Sequence, residues 1–276
     1  MKPLWIKRAL PGFAGRERVR RLLWGPVDWV EARVRARPEL IAPRGLRYVG
    51  GSPGLSLREF ADHYFPLAAL QPADAVLDVG CGLGYLAVAL LRRPDFCGRY
   101  LGFDIVRPAV DWCRRNITAR HPNVEFVHAD VFNSQYNPDG VISPAVVRFP
   151  CADASQNAVF LKSVFTHMLT AETRHYLGEI RRVLAPGGRC VFSVFLLDAD
   201  TRRAIAAGRA GRRFTAFQPG CAVHDQRIPE AAVAFDFDAL ESWIRAAGLR
   251  LTQVAHGSWS GPGPGHHQDL IVCVGA

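Results

Sequence analysis

Short, mostly apolar runs recur through the middle of the chain, and apolar positions at helical spacing follow several of them. The runs are Ala75–Val79, Tyr100–Phe103, Val124–His128, Asn157–Leu161 and Cys190–Phe195. Strands alternating with helices of this length predict a parallel sheet covered on both faces. The intervening helices are predicted over about Leu83–Leu91, over Pro108–Arg120, and from Thr170 with Leu177, Ile180 and Leu184 inward, ending at Pro186-Gly187-Gly188. Ahead of the first run, Ser56 reads as an N-cap and Glu59 completes a capping box, with Leu57, Phe60, Tyr64, Leu67 and Leu70 on one face. Gly50 to Gly54 reads as a loop. After the fifth run, Leu197 to Ala234 shows no period and is rich in arginine (202, 203, 209, 212, 213), which predicts a lid or binding loop. A helix over Asp236–Ala247, a strand over Leu249–Val254, a Gly/Pro loop over Ser258–His267 and a last strand over Leu270–Val274 complete the pattern.

The first 47 residues break it. They hold twelve basic side chains against four acidic ones, nearly all of the net charge of +9. Prolines and glycines at Pro11-Gly12, Gly25-Pro26, Pro38, Pro43 and Gly45 predict short separate helices near Arg16–Leu23 and Val27–Arg37, and Trp5, Trp24 and Trp29 point to packing against something. Such an arm attracts nucleic acid, anionic lipid or an acidic substrate, or is simply a solvated helical extension; charge alone does not choose. The expected organisation is a basic N-terminal extension over 1–54 and an α/β domain over 55–276, with an insertion at about 197–235. The seven cysteines are scattered, without Cys-x-x-Cys pairs, and read as reduced thiols of a cytoplasmic protein. The basic start lacks a signal-peptide run, and no segment reaches the roughly 18 apolar residues of a membrane span.

Candidate chemistry concentrates at Val76-Leu77-Asp78-Val79-Gly80-Cys81-Gly82-Leu83-Gly84-Tyr85. A strand, a glycine turn and a helix start bring backbone N–H groups and the positive end of a helix dipole up to a ligand. The dinucleotide fingerprint needs a glycine where Tyr85 stands, which argues against a nicotinamide enzyme. Asp104 closes the second run 24 positions after Gly80, close to the spacing at which an acid reaches a ribose.

Gly80-x-Gly82-x-Gly84 behind Asp78 resembles the first motif of the class I S-adenosylmethionine (SAM) methyltransferases, and Arg181-Arg182-Val183-Leu184-Ala185-Pro186-Gly187-Gly188 before a strand is a second match. The resemblance covers about residues 56–196 well and the C-terminal third more loosely. It implies a seven-stranded, doubly wound sheet whose last strand is antiparallel, with SAM as cofactor. It implies Asp78, Gly80, Cys81, Gly82 and Gly84 around the methionine end, Asp104 and Ile105 at the ribose, Asp130, Val131 and Phe132 around the adenine, and Ser163 on the reactive face. Ser163 to Met168, Gly257 to Gly261 and Gln268-Asp269 are similar to a branch associated with sugar, glycolipid or natural-product methylation. Asn157 departs from the pattern, since relatives carry an acid there.

The resemblance therefore implies methyl transfer to an oxygen of a small molecule, for which a histidine of near-neutral pKa is a suitable base. His167 is the first candidate, though a lone histidine more often caps a helix or packs. His266, His267, Gln268 and Asp269 form a second group; His224-Asp225 is a third, too small to argue a metal site. The alternative is an RNA-binding protein or RNA methyltransferase using the basic arm. Against it stands Ser163-Val164-Phe165-Thr166 in place of the Asn/Asp-Pro-Pro-aromatic motif of amino-directed nucleic-acid methyltransferases.

Overall fold

Each of the five apolar runs is a strand in the computed structural model, which describes residues 13–34, 40–47, 52–261 and 265–276. The chain begins with helix α1 (Phe13–Val34) and a 3-10 turn (Arg44–Leu46), followed by helix α2, which runs as Pro53–Glu59, a π-wound turn Phe60–Tyr64, and Phe65–Leu67. Then come β1 (Ala75–Val79), α3 (Tyr85–Leu91), β2 (Arg99–Asp104), α4 (Arg107–Cys113, continued by a π turn Arg114–Thr118), β3 (Val124–His128), β4 (Gln156–Leu161), α5 (Thr170–Val183) and β5 (Leu184–Val194). The remainder is β6 (Leu196–Leu197), α6 (Ala199–Ala206), β7 (Thr215–Gln218), β8 (Cys221–Val223), β9 (Val233–Asp236), α7 (Phe237–Ala246), β10 (Leu249–Ala255) and β11 (Asp269–Gly275).

Seven strands form the main sheet in the order β10-β11-β5-β4-β1-β2-β3. β1 to β5 are parallel, and β11 runs antiparallel to both β5 and β10. This is the doubly wound sheet expected from the sequence. β1 is buried along its whole length and pairs with β2 on one side and β4 on the other, so the winding reverses there. Such a reversal opens a crevice beyond the carboxyl ends of the strands. Asn157, the departure noted above, accepts the Ala75 N–H through Oδ1 at 2.9 Å and ties the starts of β4 and β1 together.

Three expectations need correction. Ser56 is not an N-cap: α2 starts at Pro53, whose fixed φ suits the first helical position, and Ser56 is buried inside the helix while Glu59 pairs with Lys162. The N-terminal helix is one element, running through Gly25-Pro26. Trp5 and the proposed end at Arg37 lie outside the described residues. The insertion is not irregular either. Asp198 and Thr201 form a capping box that starts α6, and β6, β9, β8 and β7 make a second sheet. Its strands of two to four residues are too short to show a period, yet Cys221, Val223, Val233 and Phe235 join the core that holds Leu177 and Phe192. Among the described residues no helix is long and apolar enough to cross a membrane.

Candidate functional site

The crevice at the switch point holds a cavity of about 540 Å³. Its floor is the glycine turn. The Gly80 and Cys81 N–H groups both donate to the Phe103 carbonyl, at 2.9 and 3.1 Å, which binds the turn to the end of β2. Gly80 has φ +74°, and a Cβ there would stand 2.6 Å from Val164 Cγ2, so the position needs glycine twice over.

Two buried carboxylates flank the turn. Asp104 accepts the Gly82 N–H at 2.7 Å and the Val106 N–H at 2.8 Å; burial raises its pKa, and these two bonds oppose the rise. Asp78 accepts the Tyr100 hydroxyl at 2.7 Å, and burial pushes its pKa to about 7 in spite of that bond. The Lys162 ammonium, beyond β4, is paired with Glu59 at 2.6 Å and sits 4.9 Å over the Phe60 ring.

The far wall is built after β4. Ser163 is left-handed, with φ +58°, and its N–H donates to Ser193 Oγ at 2.8 Å. The Ser163 and Ser193 hydroxyls both reach Gln268 Oε1, at 2.9 and 2.6 Å, so the strained residue is held by two bonds whose partners are themselves bonded together. His167 ends a 3-10 turn (Phe165–His167), and its Nδ1 lies 2.8 Å from the Glu230 carbonyl. A carbonyl only accepts, so Nδ1 carries the proton and Nε2 of the neutral ring keeps its lone pair. Burial lowers the His167 pKa, with the bond to Glu230 opposing it. Tyr136 meets the ring edge-on at 5.5 Å. The Glu230 carboxylate in turn accepts the Ser134 N–H at 3.0 Å and contacts the Ser134 hydroxyl.

The structure therefore brings Asp78, Gly80, Cys81, Gly82, Asp104, Ile105, Val131, Phe132, Ser163 and His167 to one cavity. It places two expected residues elsewhere. Gly84 caps α3, and a Cβ on it would come 3.0 Å from Ile117 Cδ1 and from Phe126 Cζ, which makes it a helix-packing position. The Asp130 carboxylate accepts Asn137 Nδ2 at 3.1 Å and is not among the cavity walls. Of the other histidines, His224 is bonded to the Arg213 carbonyl and Asp225 is held by Arg227, both away from the cavity. His266 is buried edge-on to His63. Asp269 is a structural clasp that accepts from the Leu196 and Gly257 N–H groups and from Trp259 Nε1, at 2.8, 2.8 and 2.6 Å. Among the described residues no three His, Cys, Asp or Glu side chains are grouped to hold a metal ion.

Among the wall residues that escaped the sequence reading are Glu59, Tyr136, Lys162, Glu172 and Glu230. Lys162, a charge closing an apolar run, was visible in principle; Glu230 lies on a turn with no motif. Tyr85 and Glu172 belong to the walls, and Tyr85 OH and Glu172 Oε2 are buried without a hydrogen-bond partner. The walls carry several carboxylates and one ammonium that is already paired. That donor set fits SAM, which brings a sulfonium, an ammonium and ribose hydroxyls.

A family model described as a methyltransferase domain matches residues 76–188, the span from β1 into β5. Residues 76–188 therefore carry a methyltransferase domain, in keeping with the resemblance to the class I SAM-dependent enzymes. SAM is the cofactor of that family. The domain is similar to the demethylmenaquinone methyltransferase of Thermus thermophilus, 30% identical over 129 residues, which cover 47% of this chain and 50% of that protein. Among solved structures, the PH0226 protein of Pyrococcus horikoshii superposes with a TM-score of 0.54 at 16% identity, covering 83% of this chain and 93% of that one. The glycopeptide N-methyltransferase MtfA in complex with SAM gives 0.51 at 14% identity, covering 82% and 95%. These likenesses establish the methyltransferase fold. The matched stretches span between 28% and 65% of the length of the curated relatives.

Proposed function

We propose that this chain methylates a hydroxyl oxygen of a small molecule, such as a saccharide, glycolipid or natural product. The observation that carries the reading is His167: its Nδ1–H is committed to the Glu230 carbonyl, and its Nε2 is left as a base on the wall of a cavity that fits SAM. The relative named for demethylmenaquinone supports a small acceptor.

Bound SAM supplies a methyl group already activated on a sulfonium, so the chain's task is alignment, proton removal and exclusion of water. In this reading Asp78 holds the ammonium of the methionine end, and the backbone of Gly80, Cys81 and Gly82 supports that end. Asp104 accepts from the ribose hydroxyls with the lone pairs its two amide bonds leave. Ile105, Val131 and Phe132 cover the adenine, and Ser163 borders the reacting centre. His167 Nε2 takes the acceptor's hydroxyl proton, and the resulting imidazolium is stabilised by the Glu230 carbonyl. Burial keeps the ring neutral at neutral pH, ready to act as a base. Helix α2 and the turn at Pro229–Ala231 beside His167 supply walls of the cavity.

The test incubates the protein with labelled SAM and a fractionated small-molecule extract, with SAM affinity measured by calorimetry. A labelled product is expected. His167→Ala is expected to lower turnover by about 10²-fold or more with SAM affinity unchanged. Unchanged turnover in that variant removes the base assignment, and absence of SAM binding by folded protein removes the whole reading.

A further inference from the structure

Twelve large apolar side chains are exposed among the described residues, and they are unevenly placed. Five lie on α1. Of the other seven, six are walls of the cavity or stand within three positions of one: Leu55, Phe132, Val141, Ile142, Val146 and Ile228. Leu55 and Val146 are each 69% exposed, and Val141 is 80% exposed. Apolar side chains scattered singly over a surface carry no message, whereas a group gathered at one place marks a binding surface.

Four of the six belong to the stretch between β3 and β4, where the backbone is fixed. The Phe132 N–H donates to the Ile142 carbonyl at 2.8 Å, and the Val141 and Ile142 N–H groups both donate to the Asp130 carbonyl, at 3.1 and 3.0 Å. Asn137 Nδ2 donates to the Val131 carbonyl at 3.0 Å. Phe132 and Ile142 are thereby paired through their backbones at the edge of the cavity, and the chain returns to its wall at Pro144. From Phe132 to Val147 the one charged residue is Asp139. Where α2 begins, Ser52 and Leu55 are walls as well, and positions 52–55 hold no charge.

We infer that the acceptor is amphiphilic, with its hydroxyl entering towards His167 and an uncharged aliphatic chain lying across the apolar rim of the cavity. The inference rests on the proposed methyl transfer and adds the chemistry of the substrate's other end. A cavity of about 540 Å³ suits one drug-sized ligand, and SAM is that ligand in the proposed reading, so the acceptor beyond its reacting hydroxyl lies at the mouth. There it meets apolar area, with no cation in either rim segment, which offers nothing to a nucleic acid, a phosphate or a carboxylate. A protein seated on the rim, a second copy of this chain included, would shut the opening by which acceptor and SAM exchange. A chain of the substrate covers the same side chains and leaves with the product. Each methylene that it moves out of water against Leu55, Ile142 and Val146 adds to acceptor affinity and asks nothing of the reacting end.

The test titrates hexyl, octyl and decyl β-D-glucoside, each below its micelle concentration, into the full chain saturated with S-adenosylhomocysteine, the demethylated form of SAM, and follows binding by calorimetry. Affinity is expected to rise about tenfold or more from the hexyl to the decyl chain, since each methylene contributes several-fold when fully buried. The double variant Leu55→Asp/Val146→Asp, at two largely exposed positions, is expected to lose that gain while its SAM affinity stays that of the parent. Leu22→Asp/Leu23→Asp, on α1, is expected to keep it. In the incubation with labelled SAM and extract, the methylated product is expected in the organic phase of a butanol–water partition. Affinity that does not rise with chain length, or a label confined to the aqueous phase, overturns the inference in protein that binds SAM and leaves the methyl-transfer reading standing. Absence of SAM binding removes that reading and the inference with it. A gain that Leu55→Asp/Val146→Asp retains, or that the α1 variant abolishes, puts the chain elsewhere and overturns the inference. So does a concentration-dependent dimer that Leu55→Asp/Val146→Asp dissolves.

Discussion

The two sheets of this molecule meet at one cavity but are built on opposite terms. At the carboxyl edge of the main sheet the acids and the glycine turn are tied down: Asp104 by two backbone amides, Asp78 by Tyr100, the turn by the Phe103 carbonyl. The small sheet reaches the cavity only through the turn at Pro229–Ala231, and its β7 strand is exposed throughout. A ligand common to a family demands a wall fixed by backbone and buried acids, whereas a variable acceptor is met by short strands and turns. Substitutions in the first region should change what is bound, and those in the second should change stability or acceptor handling.

The largest expected effect tests the second half of that contrast. Phe235→Ala removes a fully buried ring from β9 and is expected to cost about 3–5 kcal/mol in denaturant unfolding, while the folded protein keeps its SAM affinity. A large loss of SAM affinity there would erase the distinction between the two sheets. Gly80→Ala should do the reverse, lowering SAM affinity by about 10²-fold or more, because its Cβ meets Val164 and its φ is positive.

Titration supplies a finer comparison. With Asp78 at about 7 and its ionised form the one that holds an ammonium, SAM affinity should fall about fivefold between pH 7 and pH 6. Stability of the SAM-free protein should move the other way. The folded-state pKa of Asp78 lies above its unfolded value, so folding takes up a proton, and this group adds stability as pH falls from about 7 towards 4. Thermal unfolding with and without SAM across that window checks both signs. Tyr100→Phe removes a bond that favours the ionised form, so it should weaken SAM binding at pH 7 by about fivefold and leave it little changed at pH 8.5. The acid limb of methyl transfer should fall below the ordinary histidine pKa of about 6.5, because burial depresses His167. The smallest effect is expected for Glu230→Ala, which frees Ser134 but keeps the backbone carbonyl on His167; acceptor KM should change about two- to fivefold with kcat nearly unaltered.

The same contrast explains what could be read from the sequence. The main sheet was legible because its strands are mostly apolar and alternate with helices, and because a backbone that must approach a ligand leaves glycines at 80 and 82 and acids at 78 and 104. Gly84 and Asp130 belong to the same motif pattern, yet one packs α3 against Phe126 and the other engages Asn137; a pattern of residue types carries no side-chain direction. The second sheet left no period, since strands as short as Cys221–Val223 hold one or two inward side chains. Glu59 was visible but assigned to a cap, because local spacing cannot announce a partner 103 positions away at Lys162. Glu230 carries no signal at all, since half of its part is played by a main-chain oxygen.

One residue thus sets two positions at once: Glu230 holds His167 by its carbonyl and the loop at Ser134 by its carboxylate, so the tautomer of the ring and the place of that loop depend on the same short turn.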